Sequence, residues 1–208
     1  MKILNLYAGL GGNRRMWGSE HDITAVELNP EVAGIYKSLY PTDTVIVGDA
    51  HMYLEKHFNE FDFIWTSPPC QSHSGMRKNI AVRYRGTPPV FPDFRLYEEV
   101  VFLQSYIEYS KTKWVVENVK PYYTPLIKPV VSLQRHLFWA NFRIKEKAFK
   151  NENLRSNQIK DLQQIHGIDL TDVKLKNKRQ CLRNCVLPQL GLHILNCAEW
   201  EKEGERKW

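Results

Sequence analysis

Four cysteines in 208 residues, Cys70, Cys181, Cys185 and Cys197, are too few and too irregularly spaced for a disulfide scaffold. Cys181 and Cys185 have no second close pair to complete a zinc site, so no metal is expected. Eleven glycines and eleven prolines are too few for a low-complexity linker. No apolar run approaches the ~18 to 20 residues of a membrane span. Met1-Lys2-Ile3 leads straight into a strand-like segment instead of a charged and then apolar leader, which predicts a cytoplasmic protein. What remains is the composition of one packed domain, 43% hydrophobic and 25% charged.

The net charge of +6 points to a polyanionic partner only if it is localised. Between residues 72 and 95 stand Arg77, Lys78, Arg83, Arg85 and Arg95 against Asp93; residues 143–160 hold six basic side chains and two acidic. Each segment is net +4, and the rest of the chain sums to −2. Such segregation suits a nucleic-acid footprint better than two ordinary solvated loops.

Strand-like runs at residues 3–7, 23–28, 44–47, 61–65 and 114–119 alternate with helical stretches at 13–18, 30–40, 51–58 and 97–110. That alternation predicts an α/β fold with a doubly wound, mostly parallel sheet. A further strand is expected at 137–142 and an amphipathic helix at 187–198, with the charged residues 199–208 fraying. Residues 71–94, preceded by Pro69 and carrying Pro88, Pro89 and Pro92, read as a long loop, and long ordered loops in compact domains are usually functional.

The first strand runs into Ala8-Gly9-Leu10-Gly11-Gly12, a glycine-rich turn opening a helix, and Glu27 ends the second strand eighteen residues after Gly9. Glycines let a ligand approach the backbone, and a carboxylate at that offset can accept both ribose hydroxyls. The turn could equally be structural. A P-loop is excluded because no Lys-Ser/Thr follows, and the dinucleotide fingerprint fails at Arg14. Asp49, ending the third strand, could bind an adenine amino group or cap the next helix. The fourth strand ends in Ser67-Pro68-Pro69-Cys70-Gln71, at the sheet edge where α/β ligand sites form. Two prolines would hold the thiol rigidly as a nucleophile, although a lone cysteine can also be a small buried hydrophobe. Glu117 on the next strand and Arg135 before a further one bring a carboxylate and a guanidinium to the same edge.

These residues carry a resemblance. Ala8-Gly9-Leu10-Gly11-Gly12, Glu27-Leu28-Asn29, Gly48-Asp49-Ala50, Pro68-Pro69-Cys70-Gln71, Glu117-Asn118-Val119, Gln134-Arg135 and Asn184-Cys185-Val186 resemble the ordered motifs of the cytosine-C5 DNA methyltransferase family. The resemblance implies the Rossmann-like fold of S-adenosylmethionine-dependent methyltransferases. Tyr7 and Gly9, Leu10, Gly11 and Gly12 would surround the methionine moiety, with Glu27 on the ribose and Asp49 on the adenine. Leu28, Ala50 and Pro69 would line the same site, and Asn184 would close it. Cys70 would be the nucleophile, Glu117 the contact to cytosine N3 and its amino group, and Arg135 the contact to O2. The substrate would be double-stranded DNA with a flipped cytosine, held by Gln71, Ser72, Arg77, Arg83 and Arg85 of the long loop.

Two departures stand out. Arg183 replaces the usual glycine before the asparagine, and Leu133 stands where a second arginine is usual. Only 49 residues separate Arg135 from Asn184, too few for a large target-recognition domain. The expected organisation is a catalytic and cofactor-binding core at 1–142, a reduced recognition region at 143–160 and a C-terminal helical part at 161–208. The competing readings are an RNA cytosine-C5 methyltransferase, a silent DNA-binding module, and amino-group methylation, which wants an aromatic residue in place of Cys70. The compactness fits a monomeric phage or mobile-element protein that protects DNA from restriction in a bacterial host cell.

Overall fold

Seven strands form one sheet in the order β3-β2-β1-β4-β5-β7-β6: β1 Lys2–Leu6, β2 Asp22–Glu27, β3 Thr44–Val47, β4 Phe63–Thr66, β5 Lys113–Val119, β6 Val131–Leu133 and β7 His136–Ala140. The computed structural model describes residues 1–107, 110–149 and 158–204. β3, β2, β1, β4 and β5 are parallel, and β7 and β6 close the edge antiparallel. This is the expected mostly parallel α/β sheet, and its strand order reverses between β1 and β4.

Alternation along the strands builds a core on each face. Ile3, Ile23, Phe63, Trp65, Val115 and Phe138 point to one side, where Trp17 and the helix α7 (Pro188–Gly204) supply Leu190 and Ile194. Leu4, Leu6, Ile64, Val116 and Trp139 point to the other, against Leu54 of α2 (Ala50–His57) and Leu96, Val100 and Leu103 of α4 (Arg95–Tyr106). With both faces covered, the central strands read as nearly unbroken apolar runs. Helix α1 (Pro30–Leu39) starts where proline at its first turn and the Asn29 side chain, accepting from the Glu31 and Val32 amides, make a start favourable.

Several boundaries differ from expectation. The helix expected at 13–18 is a single 3-10 turn, Asn13–Met16, because the chain turns extended at Trp17, whose amide closes on the Arg14 carbonyl. The strand expected at 137–142 is β7, two residues earlier at its end, and β6 was unforeseen because three residues carry no readable period. Residues 71–94 are not only a loop. Arg77–Val82 is π-helical and continues into α3 (Arg83–Arg85), which Gly86 ends at φ +62°; the prolines at 88, 89 and 92 lie beyond that stop and do not oppose it. Among the described residues, β7 is followed by α5 (Ile159–His166), α6 (Lys178–Asn184) and α7, within the part expected to be helical. Helix α7 extends into the charged stretch as far as Gly204, and the last four residues expected to fray, 205–208, lie outside the described residues. At the start of the expected recognition region, Ile144 is buried and the Lys145 carbonyl lies 2.8 Å from His193 Nε2, so this part belongs to the core. Residues 150–157, with Lys150, Asn151 and Asn153, lie outside the described residues.

Candidate active site

Because β1 to β5 are parallel, their carboxyl ends share one edge, and the sequence of residues along it is Asp49, Glu27, Gly9, Cys70 and Glu117. β7 runs against β5 with Val119 opposite His136, so Arg135, just before β7, reaches that edge too; its carbonyl accepts the Lys120 amide at 2.9 Å. A doubly wound sheet opens its crevice where the strand order reverses, here between Gly9 and Cys70.

On the β1–β3 side the groups are already satisfied by backbone. Glu27 accepts the Gly9 amide on Oε2 and the Asn29 amide on Oε1, both at 2.9 Å. Asp49 Oδ1 accepts the His51 and Met52 amides at 2.8 and 3.2 Å, so it does cap α2. The glycines divide in purpose. A side chain on Gly12 would strike the Val186 carbonyl and Cys185, and one on Gly11 the rings of Tyr36 and Tyr40, so both permit close packing. Gly9, at φ +54°, has only the Tyr7 carbonyl 4.0 Å from where a Cβ would stand, and faces open space. Leu10 and Ala50 are buried and Leu28 is 66% exposed. Tyr7, itself at φ 54°, donates its hydroxyl to Glu99 Oε1 at 2.5 Å; burial, reinforced by that carboxylate, holds the phenol far above its usual range.

The β4–β7 side is drier and more tightly coupled. After β4, the Pro68 carbonyl accepts Asn118 Nδ2 at 2.9 Å, and the Cys70 carbonyl accepts the His73 and Ser74 amides at 3.1 Å, so the chain on both sides of the thiol is pinned. Burial, then the Glu117 carboxylate, pushes the Cys70 thiol up to about 11, with Arg135 pulling the other way. Glu117 is 6% exposed. Burial raises its carboxyl to about 7, against the lowering effects of the Ser67 hydrogen bond at 2.8 Å and of Arg135. Ser67 is oriented by Trp65 Nε1, which donates to its hydroxyl at 2.8 Å. Arg135 donates through Nη2 to the carbonyls of Arg183 at 2.7 Å and Cys185 at 3.4 Å, while its buried Nε has no hydrogen-bond partner. An unsatisfied buried donor beside a thiol and a near-neutral carboxyl leaves room for one polar acceptor from a ligand.

Residues 1–121 match the family profile of C-5 cytosine-specific DNA methylases, well over half of the chain. The chain belongs to that family. S-adenosylmethionine is the family's methyl donor, and the residues present fit it: the open face of Gly9 leaves space for the ligand, and each Glu27 oxygen keeps a second acceptor site for a ribose hydroxyl. No curated protein matches the chain significantly. Among solved structures, a mutant DNMT2 from Spodoptera frugiperda is 27% identical over 57% of this chain and 35% of its own, with a TM-score of 0.37. A putative DNA modification methyltransferase encoded within an E. coli prophage is 20% identical, covering 60% and 33%, also at 0.37. A Thermus thermophilus hypothetical protein is 16% identical, covering 67% and 73%, at 0.44. The chain therefore spans about a third of the length of the first two.

In this chain the structure brings Cys70, Glu117 and Arg135 to one edge of the sheet, and sets Gly9, Glu27 and Asp49 along it. Other expected residues stand differently. Asn184 is exposed at the end of α6 and accepts from Gln180 Nε2 at 2.7 Å. Ser72 Oγ accepts the Asp93 amide and Arg77 Nη2 donates to the Pro88 carbonyl, so both brace the loop from within. Gln71, Arg83 and Arg85 are exposed. Three supports were missed. Asn118 lies within the Glu117-Asn118-Val119 motif and fixes the Pro68 carbonyl. His136, fully buried with Nε2 3.5 Å from Glu117 Oε1, is kept neutral by burial. Glu99, buried, gathers Tyr7, Thr66 and His51; the readable signal was a glutamate on the apolar helix stripe of Leu96, Val100 and Leu103.

Proposed function

We propose that the chain is a DNA cytosine-C5 methyltransferase acting through a covalent bond between Cys70 and cytosine C6. The observation that carries the reading is the meeting of Cys70, the near-neutral Glu117 carboxyl and the partly unsatisfied Arg135 at one end of the sheet. Cytosine C5 is a poor nucleophile until a thiolate adds to C6 and moves electron density toward C5. A carboxyl that titrates near 7 can hold a proton at cytosine N3, and Arg135 can donate to O2, so both stabilise charge entering the ring. Protonated Glu117 also stops repelling the thiolate, which links activation of the base to activation of Cys70. When bound, S-adenosylmethionine supplies the electrophilic methyl group that C5 takes. Loss of the C5 proton then expels the thiolate and restores the aromatic ring. A stacked base cannot reach the half-buried thiol, so the cytosine is flipped out of the duplex, beside the basic segment at 77–85.

Tritium transfer from labelled S-adenosylmethionine into duplex DNA and into tRNA, followed by bisulfite sequencing of the DNA, tests this directly. Label in DNA at C5 of cytosine supports the reading. Label confined to tRNA replaces it with an RNA methyltransferase, and label on an exocyclic amine rejects the C5 chemistry. Protection of phage or mobile-element DNA from restriction is a biological role open to such an activity, and a restriction challenge of DNA from expressing cells checks it.

A further inference from the structure

A third basic segment lies within the part of the chain whose net charge is −2, where acidic residues elsewhere cancel it. Lys174, Lys176, Lys178, Arg179 and Arg183 stand within ten residues that contain no acidic side chain. The structure folds them into α6 and the chain entering it, around a cleft of about 350 Å³ whose polar lining includes Lys176, Asn177, Arg179, Gln180 and Arg183. Lys176, Asn177, Arg179 and Gln180 are exposed. Among the described residues, none of the five basic side chains is within ion-pair distance of a carboxylate. Lys178 is spent internally, its ammonium on the Leu170 and Thr171 carbonyls at 2.6 and 3.3 Å, which fastens the segment.

The position of this surface gives it meaning. Arg179 and Arg183 lie four residues apart, on one face of α6. Arg183 Nη2 reaches Met76 Sδ at 3.1 Å, at the foot of the helical segment that presents Arg83 and Arg85. Its carbonyl takes the hydrogen bond from Arg135 Nη2. Arg183 therefore touches both Arg135 and the foot of the basic loop, which sets the charges of α6 beside those of that loop.

We propose that Lys176, Arg179 and Arg183 form a phosphodiester-binding surface that holds the nucleic-acid backbone beside the reacting base, a role that a chain with so little room between β7 and α5 places on its C-terminal helices. The proposal rests on the reading of the site as a nucleic-acid methyltransferase, but its test measures binding without chemistry. Each phosphate neutralised on duplex DNA contributes about 0.9 to the slope of log affinity against log salt. Anisotropy titrations of the full chain with a fluorescein-labelled duplex and with an RNA hairpin of the same sequence, from low to moderate KCl, read that slope. The double variant Lys176→Gln/Arg179→Gln should flatten it by about 1.8 on the duplex and weaken binding roughly tenfold at low salt. Lys176→Glu should weaken binding further than Lys176→Gln, and Lys56→Gln, on α2, should change nothing. Whichever probe shows the flattened slope is the backbone recognised. Unchanged slopes on both probes, with folding confirmed by an unaltered melting temperature, overturn the proposal. A flattened slope in a protein that transfers no methyl group would uphold this surface and remove the catalytic reading, whereas methyl transfer with unaltered slopes does the reverse.

Discussion

The two halves of the sheet edge solve opposite problems. On the β1–β3 half, Glu27 and Asp49 spend their carboxylates on neighbouring backbone amides, and the ligand space is an open glycine. On the β4–β7 half, Glu117 is buried and Cys70 and Arg135 are half-buried, their proton affinities are displaced, and their supports come from distant parts of the chain. Holding a cofactor calls for hydrogen bonds that turns of the chain can organise locally. A carboxyl that keeps its proton near pH 7 calls for low dielectric, which only packing creates; the same burial raises the Cys70 thiol, which Arg135 opposes.

Removing the proposed nucleophile separates the halves most sharply. Cys70→Ala should lower methyl transfer by roughly 10⁴-fold or more and leave S-adenosylmethionine affinity unchanged within about twofold. The parent should form a denaturation-resistant adduct with 5-fluorocytosine DNA, because fluorine at C5 blocks the elimination that frees the thiol. An active preparation that yields no adduct would falsify the covalent step.

Glu117→Gln should cost about 10² to 10³-fold in rate while stabilising the fold above neutral pH. An unfolded glutamate titrates near 4.5 and the folded one near 7. Below 4.5 both states hold the proton and ionisation costs nothing. As pH rises from 4.5 to 7 the unfolded state ionises first, so wild-type stability falls, and above 7 the loss is complete, on the order of a few kcal/mol. Melting curves of the two proteins should therefore coincide near pH 4 and diverge by pH 8; parallel curves would contradict the raised carboxyl.

Glu27→Ala tests the other half. It should weaken cofactor binding by about 1 to 3 kcal/mol through lost charge-assisted hydrogen bonds to the ribose, with the 5-fluorocytosine adduct still forming at saturating cofactor. Calorimetry showing unchanged affinity would take Glu27 out of the site. The smallest effect belongs to Ser67→Ala. Ser67 stabilises ionised Glu117, so its loss should move the alkaline limb of the kcat/KM profile to higher pH with only a several-fold fall in rate. A limb that stays in place would mean that Ser67 merely fills space.

The salient site residues were legible because a parallel sheet delivers strand ends to one edge whatever the details of packing. Glycines after β1, an acid after β2 and a cysteine after β4 had to meet once the strands were identified. The supports were harder to see. Asn118 reaches the Pro68 carbonyl from fifty residues away, and Glu99 arrives on a helix whose pattern reads as ordinary core. The basic surface on α6 was hidden by summation, since a net charge over the remaining chain cannot show where charges gather.

The sequence by itself determined the α/β class, the family, and the order of Asp49, Glu27, Gly9, Cys70 and Glu117 along the strands, because each depends on local pattern and on the geometry of parallel crossovers. Tertiary structure alone decided that Glu117 titrates near 7 and that Arg135 is braced by the Arg183 carbonyl. It also decided that the charges of α6 stand beside the basic loop. Those outcomes depend on which distant residues exclude water from a group or lend it a partner, and linear spacing carries no measure of dielectric.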